Sequence, residues 1–246
     1  MLEFFSHLHW AAVFQIIVID LLLGGDNAVV IALACRHLPQ SQRVQGILWG
    51  TAGAVAMRLV FVWFAVFLLG IPYLKIVGGL LLLWIGTRLL LPEADATDKI
   101  RPASRLVDAI KTIILADVVM SIDNVIAIAG AANAAEPAQR MLLIAFGLLV
   151  SIPLVVWGSQ LVLKLIDRFP LVVVAGGGLL GWIGGGLVVG DVALSGSPLL
   201  AESGAHTVAG LIGATIVVLL GLGLKRRLAL KADHKQGRAG EDLPLS

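Results

Sequence analysis

The stretch that decides the fold is IDLLLGGDNAVVIA at residues 19–32, which recurs as ADVVMSIDNVIAIA at residues 116–129. Three polar positions match between the two stretches, about 97 residues apart: Asp20 with Asp117, Asp26 with Asp123, and Asn27 with Asn124. After a one-residue shift the register continues, with Pro72 matching Pro170, Gly78-Gly79 matching Gly176-Gly177, and Trp84-Ile85-Gly86 matching Trp182-Ile183-Gly184. The chain is therefore built from two related halves.

Both stretches lie in long apolar segments of an unusually apolar chain. Of its 246 residues, 59% are hydrophobic and 14% are charged, against about 25% charged in an average soluble domain. A soluble fold of this size needs a more polar exterior, whereas a lipid environment does not. Backbone in lipid must satisfy its own hydrogen bonds, so the segments should be helices. The single cysteine, Cys35, is expected to be a small apolar helix residue.

Seven apolar segments are long enough to cross a bilayer, at roughly 17–25 residues each. We place them near residues 12–34, 44–69, 71–91, 107–130, 138–164, 170–190 and 206–224. The N-terminal segment lacks the basic residues of a signal peptide, so the first span is expected to be retained. With seven spans, one side of the membrane holds Lys75 and Arg140, and the other holds every remaining Lys and Arg except Arg58. The positive-inside rule then predicts an outside N-terminus and a cytoplasmic C-terminus.

Each half contains three helices, an odd number, so the second half must enter the membrane from the opposite side. The sequence therefore predicts an all-α membrane protein with seven transmembrane helices, arranged as an inverted 3+3 repeat plus a C-terminal helix. Within this single domain, repeat 1 spans 11–91, a cytoplasmic linker spans 92–106, and repeat 2 spans 107–190. Helix 7 follows at 206–224, and a disordered cytoplasmic tail is expected at 225–246.

Four aspartates lie inside the predicted spans: Asp20, Asp26, Asp117 and Asp123. Each costs roughly 2.5–3.5 kcal/mol at a helix centre, so intramembrane acids are functional candidates by default. Interhelical hydrogen bonds or an ion pair with Arg58 are the structural alternative. Placement at equivalent positions of both repeats favours a functional site, near the membrane midplane between the halves.

The chemistry of this set is hard and rich in oxygen. Four carboxylates with the amides of Asn27 and Asn124 suit Mg²⁺, Ca²⁺ or Mn²⁺. No His or Cys is expected at the same depth, which argues against Zn²⁺ and Cu⁺. Met120, one turn before Asp123, and Ser121 are possible accessory groups, as is Arg58. Gly24 and Gly25 fit either a local unwinding of the first helix or close helix packing.

The segments Gly24–Ala32 and Asp117–Ala129 resemble those of the TerC family of integral membrane proteins. The likeness covers roughly residues 10–225, is greatest to the short, seven-helix YjbE/YkoY-type branch, and places the chain in the lysine-exporter superfamily. It implies export of Mn²⁺ from the bacterial cytoplasm across the inner membrane. It also carries the family's metal-binding carboxylates and asparagines onto six positions here: Asp20, Asp26, Asn27, Asp117, Asp123 and Asn124.

The expected partners are a divalent metal ion, the lipid bilayer and protons, with no nucleic acid. Proton antiport is expected because four buried carboxylates, one arginine and one divalent cation do not balance in charge. Two other functions stay open: an exporter of amino acids or other small solutes, and a membrane subunit that assists secretion or metalation. An enzyme is not expected, because the sequence has no Ser-His or His-Glu constellation for a membrane hydrolase.

Overall fold

The computed structural model describes the backbone of residues 14–18, 20, 25–64, 71–92, 102–132, 137–196 and 204–241. It describes their side chains except at 102–103, 123, 125–132, 137–141, 229 and 231–241. Residues 14–18 and Asp20 are helical. The helices that follow are α1 Gly25–Cys35, α2 Gln40–Trp63, α3 Leu74–Leu90, α4 Pro102–Ala132, α5 Pro137–Arg168, α6 Leu171–Val189 and α7 Ala205–Glu241.

The described residues contain these α-helices and a 3₁₀ turn at Val192–Leu194 but no strand, which confirms the all-α prediction. Four helices are long and apolar enough to cross a membrane: Gln40–Trp63, Leu142–Arg168, Leu171–Val189 and Ala205–Leu228. Large apolar side chains also cover the outer surface, among them the exposed Trp49, Trp63 and Trp157. Such an apolar exterior is suited to lipid.

Several helix ends differ from the predicted ones. The fourth helix begins at Pro102, inside the predicted linker, because proline is pre-organised for the first helical position. Helix α2 begins at Gln40 rather than 44, directly after Pro39. Helix α7 continues to Glu241, past the predicted end at 224, since the segment after Lys225 is rich in Lys, Arg, Leu and Ala, which favour helix.

Helix packing brings the third helix of each half into contact. Helix α6 packs against α3 and α7, while α2 packs mainly against α4 and α1 mainly against α5. At the α3–α6 crossing, a Cβ on Gly86 would lie 3.2 Å from the Gly177 carbonyl oxygen, and one on Gly184 would lie 2.8 Å from that of Gly79. These glycines permit a backbone-to-backbone approach that a side chain would block.

Glycines also allow α6 and α7 to pack closely. A Cβ on Gly181 would lie 2.5 Å from the Gly213 carbonyl oxygen, and one on Gly185 would lie even closer to that of Ala209. The glycines of α6 thus serve its crossings with both α3 and α7. Cys35 is buried in an apolar cluster with Leu38 and Ile47, as its interpretation as an apolar helix residue predicts.

A buried carboxylate joins α6 to the start of α3. Asp191 accepts hydrogen bonds from the backbone N–H groups of Tyr73 (2.8 Å), Lys75 (2.9 Å), Ile76 (3.2 Å) and Ala193 (2.8 Å). The first N–H groups of a helix have no partner within that helix. Asp191 supplies this partner from the opposite half of the chain, and Tyr73 enters the helix in the left-handed conformation, at φ 67°.

Candidate functional site

An arginine in the middle of the bundle holds two of the four predicted aspartates. Arg58 in α2 forms ion pairs with Asp20 through Nη1 and with Asp117 of α4 through Nη2. All three side chains are buried, with at most 5% of their surface exposed. The two carboxylates occupy equivalent positions of the two repeats. The planar fork of a guanidinium fits such a pair, because it can donate to two acceptors at once.

Two serines complete this network. Ser121 accepts from Arg58 Nε at 3.1 Å and donates to Asp117 Oδ2 at 3.1 Å. Ser151 of α5 donates to the second oxygen of Asp20. All four carboxylate oxygens therefore have hydrogen-bond partners, and the Arg58 network, if ionised, carries one net negative charge. Breaking such a buried network by removing one member is costly, because it leaves an uncompensated charge.

A cavity of about 290 Å³ lies nearer the end of the bundle where α1 begins and α6 ends. We call it the acidic cavity. Its polar wall is formed by Asp26 in the first turn of α1 and by Asn124 and Met120 of α4. Helices α6 and α7 close it with Trp182, Ile183, Gly186, Leu187, His206 and Thr207. The cavity thus combines a carboxylate, an amide oxygen, a thioether and an imidazole.

Asp26 has unused bonding capacity inside this cavity. Its Oδ1 atom is buried and has no hydrogen-bond partner among the described residues. Backbone N–H groups of Asp26 and Asn27 interact with the carboxyl. A buried carboxylate oxygen without a partner costs free energy, and a bound cation would remove that cost.

Less is known of the positions of the other predicted site residues, Asn27 and Asp123. Asn27 follows Asp26 in α1, and its side chain is buried. The backbone of Asp123 lies in α4, but its side chain is outside the described residues. The structure therefore separates the predicted set into the Arg58 network, with Asp20 and Asp117, and the acidic cavity, with Asp26, Met120 and Asn124.

Two residues of the site were missed by the sequence reasoning. Ser151 is an ordinary serine in an apolar helix, and nothing in its surroundings marks it. His206 stands at the start of the seventh helix, which falls outside the repeat and was not considered part of the site. No histidine was expected at the depth of the aspartates, yet His206 lines the same cavity as one of them, Asp26.

Among the described side chains, no three His, Cys, Asp or Glu residues come together in a group able to hold a metal ion. A cation in the acidic cavity would therefore be bound by one described carboxylate together with neutral donors.

The family model for the integral membrane protein TerC family matches residues 5–229 of this chain. The membrane protein YjbE of Bacillus subtilis (strain 168) is 47% identical over 190 residues, covering 77% of this chain and 84% of that protein. Inner membrane protein YgdQ of Escherichia coli (strain K12) is 24% identical over 181 residues, covering 66% and 73%. Membrane protein YkoY of Bacillus subtilis (strain 168) is also 24% identical, covering 66% and 55%. No solved structure matches the chain.

Proposed function

The chain belongs to the TerC family of integral membrane proteins, and on that premise we propose that it exports divalent metal ions, Mn²⁺ foremost, through the acidic cavity. The observation that carries the proposal is the Asp26 Oδ1 atom, a buried carboxylate oxygen without a partner in the described part of the chain. Asn124 and Met120 line the same cavity. Oxygen donors together with one thioether and the imidazole of His206 suit Mn²⁺ better than they suit Mg²⁺.

The proposed ligands are Asp26, Asn124 and Met120, completed by Asn27 and Asp123. In this proposal Asp20 and Asp117 stay bound to Arg58 and act through their charge. Their assignment as direct ligands stays a prediction, and it requires Arg58 to release them during the transport cycle.

The inverted seven-helix arrangement is part of the proposal and is supported by the α3–α6 crossing. Residues 79 and 86 correspond to 177 and 184 in the repeat register. Gly79 meets Gly184 and Gly86 meets Gly177, so exchanging the halves converts one contact into the other. The α1–α5 and α2–α4 pairings are exchanged in the same way. This exchange corresponds to a two-fold pseudosymmetry axis between the halves. Rocking of one half against the other is a common transport mechanism in proteins with such inverted repeats.

The charges of the site favour proton coupling. If ionised, the Arg58 network carries one net negative charge, and Asp26 with Asp123 adds two more. A bound divalent cation leaves one negative charge, which a single proton neutralises. When the metal leaves, further protons are favoured in its place. Metal and protons therefore compete for the same oxygens, and an inward proton gradient drives the metal out.

An amino-acid exporter is less well supported. Such a substrate needs a cation for its carboxylate, and Arg58 is the arginine that the sequence places at the midplane. Its guanidinium is buried and already bonded to Asp20, Asp117 and Ser121. A substrate carboxylate would have to displace one of these acceptors.

The test uses proteoliposomes containing the full chain, with metal-sensitive and pH-sensitive dyes inside. We expect saturable Mn²⁺ flux above that of protein-free vesicles, smaller fluxes of Mg²⁺ and Ca²⁺, and opposite proton movement without an ionophore. Absence of flux for Mn²⁺, Mg²⁺, Ca²⁺ and Zn²⁺ would contradict the transport proposal. Mn²⁺ flux without proton movement, and without acceleration by a pH gradient, would contradict only the coupling.

The proposed orientation has an outside N-terminus and a cytoplasmic C-terminus in the bacterial inner membrane. Reporter fusions after Lys225, and single cysteines near Ala135 with Cys35 removed, test it independently of transport. A periplasmic reporter signal at the C-terminal fusion would contradict the seven-span arrangement.

A further inference from the structure

A second cavity, of about 370 Å³, opens at the other end of the bundle, where α1 and α3 end and α4 begins. We call it the basic cleft. His37, Arg88 and Arg105 line it together with one carboxylate, Asp108. Among the described lining residues the arginines outnumber the carboxylate, so these residues together carry a net positive charge when they are ionised. Its remaining wall is mainly apolar, with Leu33, Ile85 and Ala109 among its residues.

The cleft continues onto the outer face of α3. The guanidinium of Arg88 lies over the Trp84 ring, 5.4 Å from its centroid. One and two turns further along the same face lie Leu80 and Val77; Trp84, Leu80 and Val77 are 54%, 56% and 63% exposed. A cation, an indole and two aliphatic side chains thus follow one another in order of decreasing polarity along a single strip.

This order matches the layers of a phospholipid leaflet. Arginine and tryptophan are favoured at the headgroup level, where each has an apolar body and a polar tip. Aliphatic side chains below them face acyl chains. Basic pockets between membrane helices bind anionic headgroups, and guanidinium groups bind phosphate oxygens in paired hydrogen bonds.

We propose that the basic cleft binds an anionic phospholipid, with its phosphate at Arg88 and Arg105 and one acyl chain along the strip of Trp84, Leu80 and Val77. The cleft is formed by the last turn of α3 and the first turns of α4, which belong to different halves of the chain. A bound lipid would stabilise the contact between α3 and α4. The proposal does not depend on metal transport.

The experiment is native mass spectrometry of the detergent-purified full chain titrated with phosphatidylglycerol, phosphatidylcholine or inorganic phosphate. We expect phosphatidylglycerol to bind about tenfold more tightly than phosphatidylcholine, because the choline headgroup cancels the phosphate charge. The double variant R88A/R105A should lose about tenfold in phosphatidylglycerol affinity. R88K/R105K keeps both charges but not the paired hydrogen bonds, so its affinity should lie between those of R88A/R105A and the wild type.

The matched control is R168A. Arg168 also carries an aromatic contact, 5.7 Å from the Phe169 ring centroid, but it does not line the cleft. Unchanged affinity in R168A, with loss in R88A/R105A at an unchanged melting temperature, supports the proposal. Equal binding of both lipids, or full binding by R88A/R105A, overturns it. Complete displacement of phosphatidylglycerol by millimolar inorganic phosphate also overturns it, because a free anion would then be the ligand.

Discussion

The acidic cavity and the basic cleft are walled by the same positions of the two repeats. Trp84, Ile85, Arg88 and Leu89 of α3 line the basic cleft, and Trp182, Ile183, Gly186 and Leu187 of α6 line the acidic cavity. Each pair of positions is separated by 98 residues, which is the repeat register. The duplicated backbone therefore supplies two similar recesses at opposite ends of the bundle.

Differences at single positions determine the charge of each recess and therefore the ligand that it can bind. Position 88 is arginine in the cleft, and the equivalent position 186 is glycine in the cavity. A Cβ at Gly186 would lie 3.9 Å from His206 Nδ1, and one at Gly190 would lie 3.2 Å from His206 Cε1. Gly190 therefore makes room for the histidine of α7, a helix outside the repeat, whereas a methyl group at position 186 would make only an ordinary contact with it. Each recess holds one carboxylate and one imidazole, but among the described lining residues only the cleft adds arginines, Arg88 and Arg105.

The largest effect is expected from Arg58, which lies between the two recesses and supports both halves. R58M should lower the free energy of unfolding in mixed micelles by about 3–5 kcal/mol, because it leaves two buried carboxylates without a cation. The triple variant R58M/D20N/D117N removes those charges as well and should recover most of the loss. Equal stability of R58M and the wild type would contradict a shared structural role.

The second prediction tests whether the acidic cavity, and not the basic cleft, carries the transported metal. D26N should reduce Mn²⁺ flux in proteoliposomes by about 100-fold with normal expression, since even outer-shell partners of metal ligands are worth about 10–100-fold. D108N is the matched control, because it neutralises the carboxylate of the basic cleft. We expect its flux to stay at the wild-type level. Equal losses in the two variants would mean that the recesses do not differ in the way we propose.

The third prediction concerns a variant that makes the acidic cavity more like the basic cleft. G186R introduces the arginine of position 88 beside Asp26, and we expect about a tenfold loss of Mn²⁺ flux. Two unit charges at 4 Å interact by about 4 kcal/mol near a protein surface, which is more than a tenfold loss requires. The control is G186A, whose methyl group would meet His206 Nδ1 at 3.9 Å, an ordinary contact. Wild-type flux in G186R would contradict a cation path through this cavity.

The repeat explains how much of the fold and site could be predicted. Its two Asp-Asn segments identified the family and the equivalence of Asp20 with Asp117, while the apolar composition predicted the all-α class. Arg58 was named as their alternative partner, because a charge inside a membrane helix must find an opposite charge. Which aspartates it holds could not be read from spacing, since equivalent helix positions do not fix which side chains converge. The cavity around Asp26 was missed because α7 lies outside the repeat.

Asp191 shows most clearly which kind of contact the sequence could not predict. Its partner Tyr73 lies 118 residues earlier, and no local pattern links a residue after one helix to the start of another. The helix ends at Pro102 and Glu241 were missed for a different reason. Hydropathy locates the apolar part of a helix, whereas prolines and polar helix-forming residues decide where it begins and ends.

The smallest effect concerns this Asp191 cap, which joins the two helices that wall the recesses. D191N weakens the acceptor for the backbone N–H groups at the start of α3, and we expect a loss of about 1 kcal/mol, the usual contribution of a helix N-cap. Both recesses should keep their ligand preferences, because neither is lined by Asp191. D167N is the control: Asp167 pairs with Arg43 at 2.8 Å but is 52% exposed, so its loss should stay below about 0.5 kcal/mol.

The pH dependence of unfolding tests the same cap without relying on the size of a single mutant effect. Burial of the Asp191 carboxyl raises its pKa, but the backbone N–H groups of Ala193, Tyr73, Ile76 and Lys75 outweigh burial and hold the pKa below its usual range. The unfolded carboxyl has a pKa of about 3.9. The stabilisation is therefore complete above that value and is lost as the pH falls through the lower pKa of the folded state. The wild type and D191N should differ in melting temperature at pH 6, and the difference should shrink as the pH falls through the lowered pKa of the folded Asp191 carboxyl. A difference that persisted unchanged at low pH would show that Asp191 acts through packing rather than as a charged acceptor.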